Sequence, residues 1–213
     1  MMLRSISRNS ILLGLFAVLT TAIIAGTFLG TRERIAAEQR RAEAKALLEI
    51  VPRQRHDNDL LDDYLPAGAA DEGLGLRQER KIYVARQGGA VAAVIIPATA
   101  ADGYAGDITV IVGVNADGSV AGVRTLSHRE TPGLGDKIEL QKSDWILGFE
   151  GKSLENPSLE QWAVVKDGGV FDQFTGATIT PRAVIGAVRR SLEYFRLHRE
   201  KLLLPAAAED GNG

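Results

Sequence analysis

The sequence predicts an α+β domain carried behind one N-terminal membrane helix. Three observations lead there: an uncharged apolar run near the start, strand-like pairs joined by glycine turns in the middle, and a helical apolar pattern near the end. A chain of 213 residues has room for one membrane segment and one soluble domain of ordinary size. Its 25 basic and 27 acidic residues are nearly balanced, which argues against a nucleic-acid surface. The absence of cysteine excludes disulfides, thiolate catalysis and cysteine-ligated iron–sulfur clusters. Any redox chemistry therefore needs another kind of cofactor. His56, His128 and His198 are scattered and form no compact metal-ligand pattern, so no metal is expected.

Residues 11–29 are apolar apart from Thr and Gly and carry no charge. At about 1.5 Å per residue this run is long enough to cross a hydrocarbon core. A cleaved signal peptide is the alternative, but its apolar region is usually only about 7–15 residues long. Arginines flank the run on both sides, so charge alone does not set its orientation. Residues 31–50 are rich in Ala, Glu, Arg and Leu and lack Gly and Pro, which predicts a continuing helix stopped by Pro52. Residues 53–75 contain Asp57, Asp59, Asp62 and Asp63 without the glycine and terminal glutamate of a calcium-binding EF-hand loop, and read as a solvated linker.

From Lys81 the period changes. Residues 82–85 and 91–96 read as strands joined through Gln87-Gly88-Gly89. Residues 108–114 and 120–126 form a second pair around Asn115-Ala116-Asp117-Gly118, where Asp-Gly supplies the positive φ of a tight turn. A third pair, 163–166 with 170–171, is expected across Asp167-Gly168-Gly169. Such hairpins imply a largely antiparallel sheet. A helix follows over 181–199, with Thr180 as its N-cap, Pro181 in its first position, and Val184, Val188, Leu192 and Phe195 on its buried face. The Ala/Gly-rich tail over 201–213 is expected to be flexible.

Two polar constellations stand out. Asp172-Gln173-Phe174-Thr175-Gly176-Ala177-Thr178 ends just before the predicted helix, where unpaired N–H groups and the helix dipole favour an anion. By composition alone it reads first as an ordinary turn and cap. His128-Arg129-Glu130-Thr131-Pro132-Gly133-Leu134-Gly135 contains a type II turn signal at Thr-Pro-Gly, and its glycines let backbone N–H groups approach a ligand. A structural loop with His128 and Glu130 paired to each other or to solvent is the alternative.

Together the two segments resemble the Asp-x-x-Thr-Gly-Ala-Thr and His-x-Glu-Thr-Pro-Gly-Leu-Gly motifs of one family. These are the membrane-anchored FMN-binding subunits of the Rnf electron-transport complex and of the sodium-pumping NADH:quinone oxidoreductase. Gly103-Tyr104-Ala105-Gly106 and the stretch from Trp145 to Lys152 are weaker matches, and for Tyr104 and Trp145 a packing or rim role is the default. The resemblance runs from about residue 11 to about residue 200 and departs at Pro181, where Ser is frequent in the family. The length suits the G-type subunit of the Rnf complex better than the usually longer C-type subunit of the sodium pump.

The resemblance implies FMN held covalently, by a phosphoester to Thr178, and delivered from FAD by a separate flavin transferase. It implies cofactor contacts at Thr175, Gly176, Ala177, Thr180, His128, Glu130, Thr131, Gly133, Leu134 and Gly135, with Asp172 as part of the modification motif and no catalytic residue. It further implies electron relay within an ion-translocating complex, with other membrane and peripheral subunits and membrane lipid as partners. The chain would then divide into a cytoplasmic N-terminus (1–10), a transmembrane helix (11–30), a juxtamembrane helix and linker (31–80), an FMN-binding domain (81–200) in the periplasm of a bacterial inner-membrane protein, and the tail (201–213). A cofactor-free membrane-anchored binding or assembly module is the reading from a different class.

Overall fold

The computed structural model describes residues 2–68 and 73–205; the remainder, including most of the predicted flexible tail, lies outside the described residues. Residues through Glu43 form one compact unit and those from Ala44 onward another. Helix α1 (Met2–Ile50) is long and apolar enough to cross a membrane, and its large apolar side chains from Ile11 to Leu29 are exposed. It runs unbroken to the turn before Pro52. The residue ahead of a proline is pushed out of helical geometry, and Val51 is the last to donate back into the helix, to Leu47 O at 2.9 Å.

The second unit is built on a five-stranded antiparallel meander: β1 (Tyr64–Ala67), β2 (Arg80–Gln87), β3 (Ala90–Gly103), β4 (Gly106–Asn115) and β5 (Val120–Ser127), neighbours in that order. The period of two sorts its residues between two faces. Ile82, Val84, Val94, Ile96, Ile108, Val110, Val112 and Val123 face helix α2 (Ile179–Leu202) and the main core. Tyr83, Ala85, Ala93, Ile95 and Ile111 face Leu47, Ile50, Val51 and Leu60 on the other side. Both sheet faces are therefore covered, an α+β arrangement. The first two predicted hairpins form with the expected turns. Gly88 and Gly89 take φ of +60° and +81°, and Gly118 takes +95°.

The end of α1 seats into a notch in the sheet. Gly113 and Gly122 are cross-strand partners on β4 and β5, and Ile50 fills the space that their missing side chains leave. Beside it Arg124 Nε donates to Glu49 Oε2 at 3.0 Å.

The segment 53–75, expected as a linker, contributes β1 and a network of side chains that bind backbone. Asn58 Nδ2 donates to Val84 O at 2.8 Å and its Oδ1 accepts from Arg86 N at 2.9 Å. Asp63 Oδ2 accepts from Arg86 Nε at 2.7 Å, and Asp57 Oδ2 from Gly88 N at 2.7 Å. These acids tie the segment to β2.

The third predicted hairpin does not form. Val164 and Phe171 make a single bridge in parallel sense, and a short 3-10 turn (Val165–Asp167) is closed by Gly168 at φ +87°. A Cβ on Gly169 would lie 1.9 Å from Ala163 O, so the chain doubles back more tightly than a ladder allows. Of the apolar residues that suggested strands, Val164 and Phe171 enter the core, where Phe171 joins an aromatic cluster, while Val165 and Val170 stay exposed. Trp145 meets Phe149 and Phe174 edge-on at 5.3 and 5.0 Å, and Phe171 lies 4.6 Å from Phe149 and 5.2 Å from Trp162.

Candidate flavin site

The Thr-Gly-Ala-Thr run makes a tight turn into α2. Ala177 N donates to Phe174 O at 3.1 Å across Thr175-Gly176, and Gly176 takes φ +82°, a conformation that favours glycine. The aromatic cluster holds the turn from beneath, through buried Phe174 and a hydrogen bond from Trp145 Nε1 to Asp172 O at 2.8 Å. The helix starts earlier than the sequence suggests. Thr178 is its N-cap, in helical geometry, and its side chain makes no capping bond. Thr180, expected as the cap, lies inside the first turn, fully buried. Pro181 still falls in the first turn, where its missing N–H has no intrahelical partner to lose.

Thr180 is diverted from capping by Glu130. This carboxylate is only 4% exposed. Its Oε2 accepts from the Thr180 hydroxyl, and its Oε1 accepts from Ala105 N at 2.9 Å. Burying a carboxylate is costly without such partners. One side chain thus ties together the tip of the β3–β4 hairpin, its own loop and the first turn of α2. Gly135 makes the approach possible: a Cβ there would lie 2.9 Å from both Glu130 Cβ and Thr180 Oγ1.

The loop around Glu130 forms as its turn signal predicts. Leu134 N donates to Thr131 O at 3.1 Å, with Pro132 second and Gly133 third at φ +77°. Gly133 N donates to buried Asp136 Oδ1 at 2.8 Å. His128 fixes the start of the loop: its Nδ1 accepts from Glu130 N at 3.0 Å, which leaves the proton on Nε2, 2.8 Å from Glu139 Oε1.

The two motifs enclose a cavity of about 310 Å³. Eight of the expected residues line it: Glu130, Thr131, Leu134, Gly135, Gly176, Ala177, Thr178 and Thr180. Tyr104 and Ile179 complete the wall. His128, Gly133, Asp172 and Thr175 do not line it; the first two shape the loop, and the side chains of the last two are exposed. Ile179 carried no weight in the sequence reading, and its signal is slight: a large apolar residue directly after the motif. Tyr104 was visible only as part of a weak match. The Ala105 N–H, a backbone group, left no mark in the sequence at all.

The cavity is small among ligand sites, and its mouth is apolar: Tyr104, Leu134 and Ile179 are 69, 43 and 45% exposed. Among the described residues no basic side chain lines it, and the start of α2, whose unpaired N–H groups favour an anion, lies at its wall. Just beyond, Arg182 binds Asp167 in bidentate fashion, Nε to Oδ2 at 2.6 Å and Nη2 to Oδ1 at 2.8 Å. The hydrogen bond from Arg182 holds the Asp167 carboxyl below its usual range, and the same bond pushes Arg182 up.

Comparison with known proteins agrees with this geometry. Residues 103–193, which carry both motifs and Tyr104, match the FMN-binding domain family, and residues 1–50 match the RnfG N-terminal region. The chain is 52% identical over 205 residues to the G-type subunit of the ion-translocating oxidoreductase complex of Pseudomonas aeruginosa strain UCBPP-PA14, covering 96% of this chain and 95% of the relative. It is 50% identical over 202 residues to the corresponding protein of Shewanella loihica, covering 95% of each. The counterpart in Aliivibrio fischeri strain MJ11 is 45% identical over 209 residues, 98% of this chain and 99% of the relative. An apolar first helix, an FMN-binding domain and this degree of identity along nearly the whole length place the chain in the family of G-type subunits of the ion-translocating oxidoreductase complex.

Proposed function

We propose that the chain relays electrons within an ion-translocating membrane complex through FMN esterified to Thr178. The observation that carries this reading is the state of Thr178. Its hydroxyl makes no capping bond, and it lines the cavity that the two motifs build together. In the attachment step the Thr178 Oγ forms a bond to the FMN phosphorus of FAD. The pyrophosphate bond breaks, AMP leaves, and the hydroxyl proton passes to solvent; a flavin transferase supplies the catalysis.

The residues present suit a phosphoester. By helix geometry the N–H groups of Ile179 and Thr180 lack intrahelical acceptors, and with the helix dipole they favour an anion at Thr178. Gly176 and Ala177 keep the approach to the hydroxyl uncrowded. Leu134, Ile179 and Tyr104 offer apolar surface to a flat ring, and the modest volume leaves such a ring partly exposed, as a relay requires. When bound, FMN supplies a carrier that takes up two electrons and releases them singly. His128 and Gly133 support the wall from behind by fixing its loop. Asp172 and Thr175, both exposed, are available to the transferase.

In this reading α1 anchors the protein in a bacterial inner membrane, with the N-terminus cytoplasmic, the domain periplasmic, and other subunits and lipid as neighbours. Expression with an active flavin transferase tests the site. The denatured protein should keep flavin fluorescence and gain the mass of one FMN residue, and Thr178→Val should lose both. Unmodified mass with a modified control protein would favour a cofactor-free module.

A further inference from the structure

We propose that Tyr104 is a flavin-contacting residue, held at the cavity rim by Glu130. The inference rests on the reading of the cavity as a flavin site and adds a ring-facing wall supplied by a third segment of the chain. Tyr104 and Ala105 are the two-residue tip of the β3–β4 hairpin. The tip is rigid. Gly103 and Gly106 pair across it, Gly106 takes φ +113°, and a Cβ on Gly103 would lie 2.3 Å from Gly106 O. Ala105 N then donates to the buried Glu130 carboxylate at 2.9 Å.

The anchor fixes the peptide beside Tyr104, while the tyrosine ring itself stays largely exposed. It is 69% exposed, lines the cavity, and has no ring contact or hydrogen bond among the described residues. Scattered exposed aromatics are ordinary on a surface. This one differs because a buried charge is committed to fixing the adjacent peptide, and the same charge also fixes the first turn of α2, two residues past Thr178. Glu130 therefore sets the spacing between the attachment point and the tyrosine. Tyr104 is the one aromatic side chain among the described lining residues, so a planar aromatic ligand tethered at Thr178 has its ring to stack on, and such pairs gain contact beyond simple area burial. Glu130 acts here as a positioning residue.

Fluorescence separates this from a packing role, because a phenol or indole lying on a flavin quenches its emission. The full-length protein, its Tyr104→Leu and Tyr104→Trp variants, and Glu130→Ala and Glu130→Gln are flavinylated. Emission of each folded protein is then measured per mole of flavin attached. Per mole of flavin attached, Tyr104→Leu should raise emission severalfold, and Tyr104→Trp should keep it low. Glu130→Ala should also raise it, and Glu130→Gln, which keeps an acceptor for Ala105 N, should restore quenching. Wild-type emission from Tyr104→Leu would overturn the contact while leaving FMN attachment intact. Wild-type emission from Glu130→Ala would overturn the positioning role. Absence of flavin from the wild-type protein would instead remove the site reading itself.

Discussion

The Thr180 hydroxyl donates to the Glu130 carboxylate across fifty residues of sequence, and both groups are buried. This bond joins the two motifs into one wall. Thr180→Val keeps the shape but removes the donor, leaving the carboxylate short of a partner. Loss of about 1–3 kcal/mol of stability is expected, since a buried acceptor stripped of its partner costs that much. Thr180→Ser should retain most of it. Urea denaturation of the full chain in detergent checks this, and equal midpoints for the Val and Ser variants would show that the bond contributes nothing.

Gly135 tests the same wall by crowding. Its added Cβ would press on Glu130 and Thr180 at 2.9 Å, with no flexible side-chain end to yield. Gly135→Ala should cost about 1–3 kcal/mol, the usual penalty of overpacking, and reduce flavin attachment as Thr178 shifts. Gly133→Ala, with open space around it and φ of +77°, should cost about 1–2 kcal/mol from backbone strain alone. Its effect on attachment should be smaller. The two variants reversed in their effect on flavin mass would place the crowding elsewhere.

Gly113 offers a remote control. A Cβ there would lie 2.2 Å from Ile50 Cγ2, in the notch that receives the end of α1. Gly113→Ala should lower the denaturation midpoint through overpacking of about 1–3 kcal/mol, with flavin stoichiometry unchanged. Loss of flavin in this variant would mean that the notch and the cavity are coupled.

The Arg182–Asp167 pair sets a pH signature. The Asp167 carboxyl is held below 3.8 by its bonds to Arg182, so it contributes stability above that value and loses it as pH falls through the lowered one. The same bond pushes the Arg182 guanidinium up, so its share is complete across the range in which Asp167 titrates. The stability difference between wild type and Asp167→Asn should therefore be flat from about pH 5 to about pH 9 and shrink on acidification. Both side chains are exposed, so the difference is small. Urea midpoints measured from strongly acid pH up to about pH 9 check it; a difference that persists undiminished at strongly acid pH would assign it to something other than charge.

What was legible in the sequence follows physical lines. The strands of β2 to β5 and the buried face of α2 were readable because burial writes a period into the chain, and the turns at Gly88-Gly89 and Gly118 because positive φ selects glycine. Segment 53–75 hid its structure because Asn58, Asp57 and Asp63 bind backbone and side chains 23 to 31 residues away, which leaves no local pattern. The third hairpin misled because Val164 and Phe171 are apolar to fill the core, Phe171 within an aromatic cluster, a demand that strand-like composition cannot distinguish. Thr180 looked like a cap because composition shows a hydroxyl near a helix start and not which acceptor it serves. Within the site, both motifs were readable while the Ala105 N–H that completes Glu130 was not.

Two hydroxyls compete for the attachment role, and their surroundings differ. Thr178 lines the cavity at the start of α2, whereas Thr175 is exposed on the far side of the Gly176 turn. Thr175→Val should still carry covalent FMN, and Thr178→Val none. Neither change should shift stability by more than about 0.5 kcal/mol, as is usual for substitutions that disturb no core packing or cap. Thr178 lends its side chain to no capping bond, so its removal leaves the helix start as it was. Flavin lost from Thr178→Val at unchanged denaturation midpoint therefore reports missing chemistry rather than a damaged fold. Flavin lost from Thr175→Val instead would move the attachment point out of the cavity and undo the electrostatic argument for the helix start.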